Sequence, residues 1–182
     1  MRRKGRLGIA LLVAATLAAA GSAPAGGGEA PDPAARLAPF KRALKQALME
    51  GLAEGPVRAV DRCHLRAPQI AETASSEGVR VGRASHRLRN PANAPPSWVA
   101  PILDAWLEEG ADRTPRTVSL ENGRTGYVEP ITLQPLCVAC HGEVLAPDVA
   151  ARIGELYPED RAVGFRVGDL RGVFWIEVPE GG

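Results

Sequence analysis

Five consecutive residues, Cys137-Val138-Ala139-Cys140-His141, limit this chain more than any other part of it. Two thiols separated by two residues lie about one helical turn apart on one side of the backbone, and an imidazole follows at once. Thiols so spaced can each add to one of two vinyl groups on the same edge of a haem, leaving the histidine to approach one face of the iron. A fold built around such a segment must leave room for a flat group much larger than a side chain. Competing readings use the same residues. A zinc site would need Cys137 and Cys140 with Cys63 and His64 or His141. A redox dithiol would be expected in a strand-to-helix setting, whereas Cys137 follows Gln134-Pro135-Leu136. A structural Cys137–Cys140 disulfide has no use for a histidine.

The compartment favours the first reading. Arg2, Arg3, Lys4 and Arg6 precede the uncharged run Leu7 to Ala20, and small residues follow at Ala18-Ala19-Ala20 and Ala23-Pro24-Ala25. This is the pattern of a secretory signal peptide, predicted over residues 1–25. Its apolar stretch is shorter than the roughly 20 residues needed to cross a bilayer. No later segment is long and apolar enough to do so, and a periplasmic or secreted bacterial protein is expected. Thioether attachment of haem takes place on that side of the membrane, so haem-attachment machinery is an expected partner during maturation. The three cysteines are an odd number for an exported chain, which argues for chemistry at the thiols over a disulfide framework. The formal charge of +1 falls to −3 once the four leader cations are removed, which excludes nucleic acid and anionic membrane surfaces as partners.

Residues 26–36 read as a flexible leader and 37–182 as one domain, with Asp32-Pro33 suited to cap and start the first helix. Leu37, Phe40, Leu44, Leu48 and Leu52 recur at helical spacing and predict one buried face, ending near Gly55. A second helix starts at Pro56 with Val57, Val60, Cys63, Ala67, Ile70 and Ala74 inward, and Pro68 is expected to kink or interrupt it. Val79 to Leu88 reads as a strand, followed by the rigid loop Asn90 to Pro96. Ser97 is placed as the cap of a helix carrying Trp98, Ile102, Leu103, Trp106 and Leu107. Thr117 to Glu121 and Thr125 to Ile131 flank Asn122-Gly123, a strong hairpin signal. A short helix lies within Val144 to Tyr157, and two short strands are expected within Gly164 to Val178 around Gly168-Asp169. Helices mainly first and strands mainly later predict an α+β fold with an antiparallel sheet. Aromatic residues are only 4% of the chain, so aliphatic side chains must form most of the core unless a porphyrin helps to fill it.

A methionine far downstream of the motif cannot be the second iron ligand here, because Met49 lies upstream and no methionine follows it. The candidates are Cys63, His64 and His86, or an open position. Cys63 lies on the inward stripe of its helix, where a small buried hydrophobe is the alternative, and His64 is one residue, about 100°, further round. His86 is surrounded by Arg83, Arg87 and Arg89, which suggests a solvated position. Arg87 and Arg89 are themselves candidate contacts for haem propionates, with surface charge as the other reading.

The segments Phe40 to Leu44, Val60 to Pro68, Val81-Gly82-Arg83, Leu88 to Pro95, Gln134 to Gly142 and Leu156 to Ala162 follow one another as in a recognisable family. Over roughly residues 37 to 178 the chain resembles the secreted c-type haem family with a PAS-like fold. The resemblance implies an antiparallel sheet with flanking helices, one covalently held haem, His141 as proximal iron ligand and Cys63 facing the iron from the opposite side. His64 is an alternative ligand. Members occur alone or as sensory ectodomains, and nothing resembling a transmitter follows Val178.

A thiolate ligand favours ferric iron, so a low potential is expected, with Fe–S weakening on reduction and a position opening for a diatomic gas such as CO or NO. A redox- or gas-sensing haem domain is therefore the expected function, with an unidentified periplasmic redox or signalling partner. A periplasmic electron-transfer cytochrome c is the alternative. No acid–base pair accompanies the motif, so an enzyme such as a peroxidase is not expected.

Overall fold

A computed structural model describes residues 32–121 and 123–179. The predicted signal peptide lies outside the described residues. Among those described, no helix is long and apolar enough to cross a membrane.

Asp32 caps the first helix as expected, its Oδ1 accepting from the Ala34 amide at 3.0 Å, and α1 runs Pro33–Ala53. Residues 33–36, assigned to the leader, are thus helical. The buried face is Leu37, Phe40, Leu44, Ala47 and Gly51, so it drifts from the predicted Leu48 and Leu52 onto small residues toward the helix end. The reason is the neighbour. Helix α2 (Pro56–Ala74) folds straight back after Gly55, and a Cβ on Gly51 would stand 2.6 Å from the Ala59 Cα. Helices that converge on so short a turn touch backbone to backbone, and leucines cannot fit between them. Pro68 does not break α2. It is exposed, so the His64 carbonyl it deprives of a partner can be hydrated from that side.

Four strands form one antiparallel sheet in the order β1-β4-β3-β2: β1 is Arg80–Ala84, β2 Arg116–Leu120, β3 Arg124–Thr132 and β4 Leu170–Pro179. The strand expected to reach Leu88 stops at Ala84, because Ser85 Oγ takes over the Arg87 amide at 3.0 Å and turns the chain. The β2–β3 hairpin forms as predicted, with Gly123 at φ 69°; Asn122 lies outside the described residues. The two short strands expected near the C-terminus are one long strand. Gly164 and Gly168 adopt positive φ and keep the preceding segment irregular, and Phe165 contributes only a lone parallel bridge to Gly142.

Alternation along the strands gives the sheet two apolar faces. Val81, Phe174, Ile176, Val178 and Tyr127 pack against Leu37, Phe40, Leu44, Ala67 and Ile70 of the helical hairpin. Ala84, Val128, Val173 and Trp175 pack against Val99, Ile102, Leu103 and Trp106 on the other side. The last three belong to α3, Ala100–Leu107, which starts after a Pro96 turn and not at a Ser97 cap. A third apolar cluster joins Val60 of α2 to Val149 and Ile153 of α5 (Pro147–Leu156). The scarce aromatics are concentrated inside, with Trp106, Phe40 and Phe165 almost fully buried. The whole is an α+β unit in which an antiparallel sheet lies between a helical hairpin and a shorter helix, as the sequence reading expects; strands and helices are more interleaved than it anticipated.

Where β4 meets β3 the register slips. Ile131 pairs with Gly172 and Thr132 with Leu170, leaving Arg171 as the extra residue of a bulge, a device that re-aims a side chain. Across the strand, a Cβ on Gly172 would stand 2.2 Å from the Ala84 carbonyl oxygen, which the β1 backbone holds in place. Gly172→Ala should therefore prise β1 from β4 at a cost of about 1–3 kcal/mol. The check is the urea midpoint, and a midpoint equal to that of the parent would show this strand pair to be pliable.

Candidate functional site

The chain leaves β3 at Thr132 and is fastened at once. Leu133 is buried, its amide donates to Asp169 O at 2.9 Å, and its carbonyl accepts from the Gly168 amide at 2.9 Å. A short 3₁₀ turn over Pro135–Cys137 then leads into α4, Val138–His141. This one turn ends at Gly142, where a Cβ would collide with the Val138 carbonyl oxygen at 2.5 Å. The backbone beyond is clamped, with Phe165 N donating to His141 O at 3.0 Å and Gly164 N to Gly142 O at 2.8 Å. Cys137, Cys140 and His141 are thereby presented together from a rigid turn. Cys140 is half-buried and packs on the α2–α5 cluster.

His141 Nδ1 lies 2.6 Å from the Ala162 carbonyl oxygen. A carbonyl can only accept, so Nδ1 carries the hydrogen and Nε2 keeps its lone pair in the neutral ring. Burial, reinforced by the positive charges of Arg171 and Arg89, pushes the His141 pKa down to about 3. The imidazole is held neutral, oriented and available as a metal ligand through Nε2.

Helix α2 brings Cys63 to the same region. It is half-buried; burial pushes its thiol pKa up, while Arg83 and Arg89 pull it down. The same two arginines act on His141, and Cys63 acts on Cys140. Tyr157, at the end of α5, feels Arg89, Cys63 and Arg83. The other candidate ligands lie elsewhere. His64 stacks edge-on against Tyr157 at 5.1 Å and lines a groove of about 550 Å³ with Arg62, Leu65 and Leu156, which contains none of the cysteines. His86 is exposed and stacks on Phe165 at 5.7 Å.

Arg87 and Arg89, read from the sequence as propionate contacts, are committed to protein. Arg87 donates to the carbonyls of Arg161 (3.2 Å), Val163 and Gly164 (3.5 Å), and lies over the Phe165 ring. Arg89 grips both oxygens of Asp160 at 3.1 and 3.2 Å and also donates to Cys140 O at 2.6 Å and Ala162 O at 3.4 Å. Between them the Leu88 carbonyl accepts from Arg161 N at 2.8 Å. Three successive residues thus hold the 160–164 loop, which in turn holds His141. The latch was not legible, since it joins residues far apart in the chain.

Two further arginines turn inward. Arg83 shares the Val81 face of β1, and the bulge aims Arg171 at Ser85 Oγ, 2.6 Å away, and at the Phe165 ring. Period-two alternation from Val81 was the available signal for Arg83. Arg171 had none, because a bulge reverses the alternation that would have placed it. Among the described residues, no three His, Cys, Asp or Glu side chains converge as a metal-binding group, so the zinc reading finds no ligand set.

The chemistry of the donor set suits a haem: thiols and a neutral imidazole on one turn, a third sulfur on α2, and surplus cationic groups for carboxylates. Comparison with known proteins points the same way. The family model described as Tll0287-like matches residues 33–179. Among solved structures the chain is similar to the cyanobacterial heme-protein Tll0287, with a TM-score of 0.63 and 27% identity, covering 83% of this chain and 97% of that one. No curated protein matches.

Proposed function

The chain belongs to the Tll0287-like family, and on that premise we propose that it is a single-haem c-type protein of the bacterial periplasm, or secreted, that senses redox state or a diatomic gas. Cys137 and Cys140 would hold the haem as thioethers, His141 Nε2 would ligate the iron, and Cys63 would take the opposite position. The observation that carries this is the His141 Nδ1–Ala162 bond, which presents a free Nε2 from the very turn that carries both thiols. A bound haem supplies a one-electron couple and an axial position at which ligands exchange.

The residues around Cys63 favour sensing over plain electron transfer. Burial favours the protonated thiol, and Arg83 with Arg89 favour the thiolate. A sulfur drawn both ways is suited to a ligand that can leave. His64, stacked on Tyr157 in a groove that contains none of the cysteines, would have to leave it to replace Cys63. Haem-attachment machinery and a periplasmic redox or signalling protein are the partners this reading requires, and the role is not catalytic.

The test is the optical spectrum of periplasmically matured protein with and without Cys63→Ser. The expected result is a two-thioether pyridine haemochrome in both, with a thiolate charge-transfer band in the parent that the variant lacks. An unchanged spectrum would remove Cys63 from the iron. CO binding by the reduced protein supports sensing; a reduced form inert to CO returns the electron-transfer reading.

A further inference from the structure

The guanidinium groups of Arg83, Arg89 and Arg171 act on His141, those of Arg83 and Arg89 also on Cys63, and Arg87 shares the Phe165 ring with Arg171; Asp160 is the carboxylate that acts on this group. That carboxylate is already gripped by Arg89. Arg87 is spent on loop carbonyls. The other two differ. Arg171 makes both of its hydrogen bonds through Nη1, to Ser85 Oγ at 2.6 Å and Arg87 O at 3.2 Å, and both acceptors are neutral. Its Nε and Nη2 make none among the described residues. Arg83 is half-buried on the sheet face that α2 covers, and among the described residues it has neither a hydrogen bond nor an ion pair.

A half-buried cation without an anion is costly, and burial pulls both guanidiniums below their ordinary values, Arg171 to about 10. A two-oxygen anion matches the planar fork each still offers. Resting on the haem reading above, we propose that Arg83 and Arg171 are the carboxylate clamps of the site and take the two haem propionates, while Arg87 and Arg89 act as latches on the His141 loop. The assignment divides four clustered arginines by what their donors already hold.

Resonance Raman spectra of matured Arg83→Gln, Arg171→Gln and Arg87→Gln holoproteins test this through the propionate-bending band. The band should move to lower frequency in the first two, as a carboxylate loses its donor pair, and stay in place in Arg87→Gln. A band at its parental frequency in both Arg83→Gln and Arg171→Gln, or a shift confined to Arg87→Gln, would overturn the assignment. Should Arg83→Gln yield no holoprotein, Arg83→Lys replaces a fork by a single ammonium and should shift the same band, and no shift there counts against the proposal. The pyridine haemochrome of the parent reports the underlying reading separately. Its absence would overturn both, whereas its presence with an unmoved band would overturn the clamps alone.

Discussion

Replacing Arg89 with alanine should destabilise the protein by about 3–5 kcal/mol, the usual consequence of removing one partner from a buried ion pair. Side-chain exposure is 14% for Arg89 and 8% for Asp160, so water screens the pair poorly. Loss of the guanidinium strands the Asp160 carboxylate. It also frees the Cys140 and Ala162 carbonyls, the second of which orients His141. The effect should therefore reach the site as well as the unfolding curve. Asp160 Oδ1 additionally accepts from the Ala162 amide at 2.9 Å, so Asp160→Ala loosens the same loop from the other end. Urea denaturation of both single variants and the double variant gives the coupling. The double loss should be well short of the sum, since each single change already breaks the pair. An Arg89→Ala midpoint close to that of the parent would mean that the 160–164 loop stands without its latch.

The second large effect concerns the haem itself. The variant Cys137→Ala/Cys140→Ala should lose covalent haem completely, and its full-length chain should be less stable than the holoprotein by about 4 kcal/mol. That figure follows from a tethered group at an effective concentration on the order of millimolar acting against an intrinsic affinity on the order of micromolar, a ratio of about 1,000. The structure supplies the physical reason for the sign. The propionates of the haem would supply the anion that Arg83 and Arg171 lack among the described residues. Acid–acetone extraction reports the attachment, and urea unfolding of the two forms reports the difference. Equal unfolding midpoints would show that the fold gains nothing from the haem and that the cluster is balanced by the protein alone.

Much of the architecture was legible because it depends on local chemistry. Asp32 caps the helix that Pro33 begins, and the two runs that flank residues 122–123 pair as a hairpin. The apolar period placed α1 and α2 within a few residues. It failed at Leu48 and Leu52, where the closeness of Ala59 and not hydrophobicity decides what fits. Pro68 does not interrupt α2, which runs on through it at an exposed position. The two expected final strands are one because the chain beyond Gly168 runs as a single strand paired with both β1 and β3.

At the site, sequence alone determined the reactive set: two thiols and an imidazole within one turn, and a third sulfur on the inward side of a helix. Those are properties of residue type and spacing, which no packing can alter. What only the tertiary structure decided is which groups remain free. Arg87 and Arg89 are adjacent to a loop in sequence but are consumed by carbonyls and a carboxylate 51 to 77 residues away, as the Arg87–Gly164, Arg89–Cys140 and Arg89–Asp160 pairs show. Arg171 reaches the site because one extra residue in β4 turns it there. A donor's availability depends on every acceptor the fold brings within about 3 Å, and that is a long-range property that composition and periodicity do not carry.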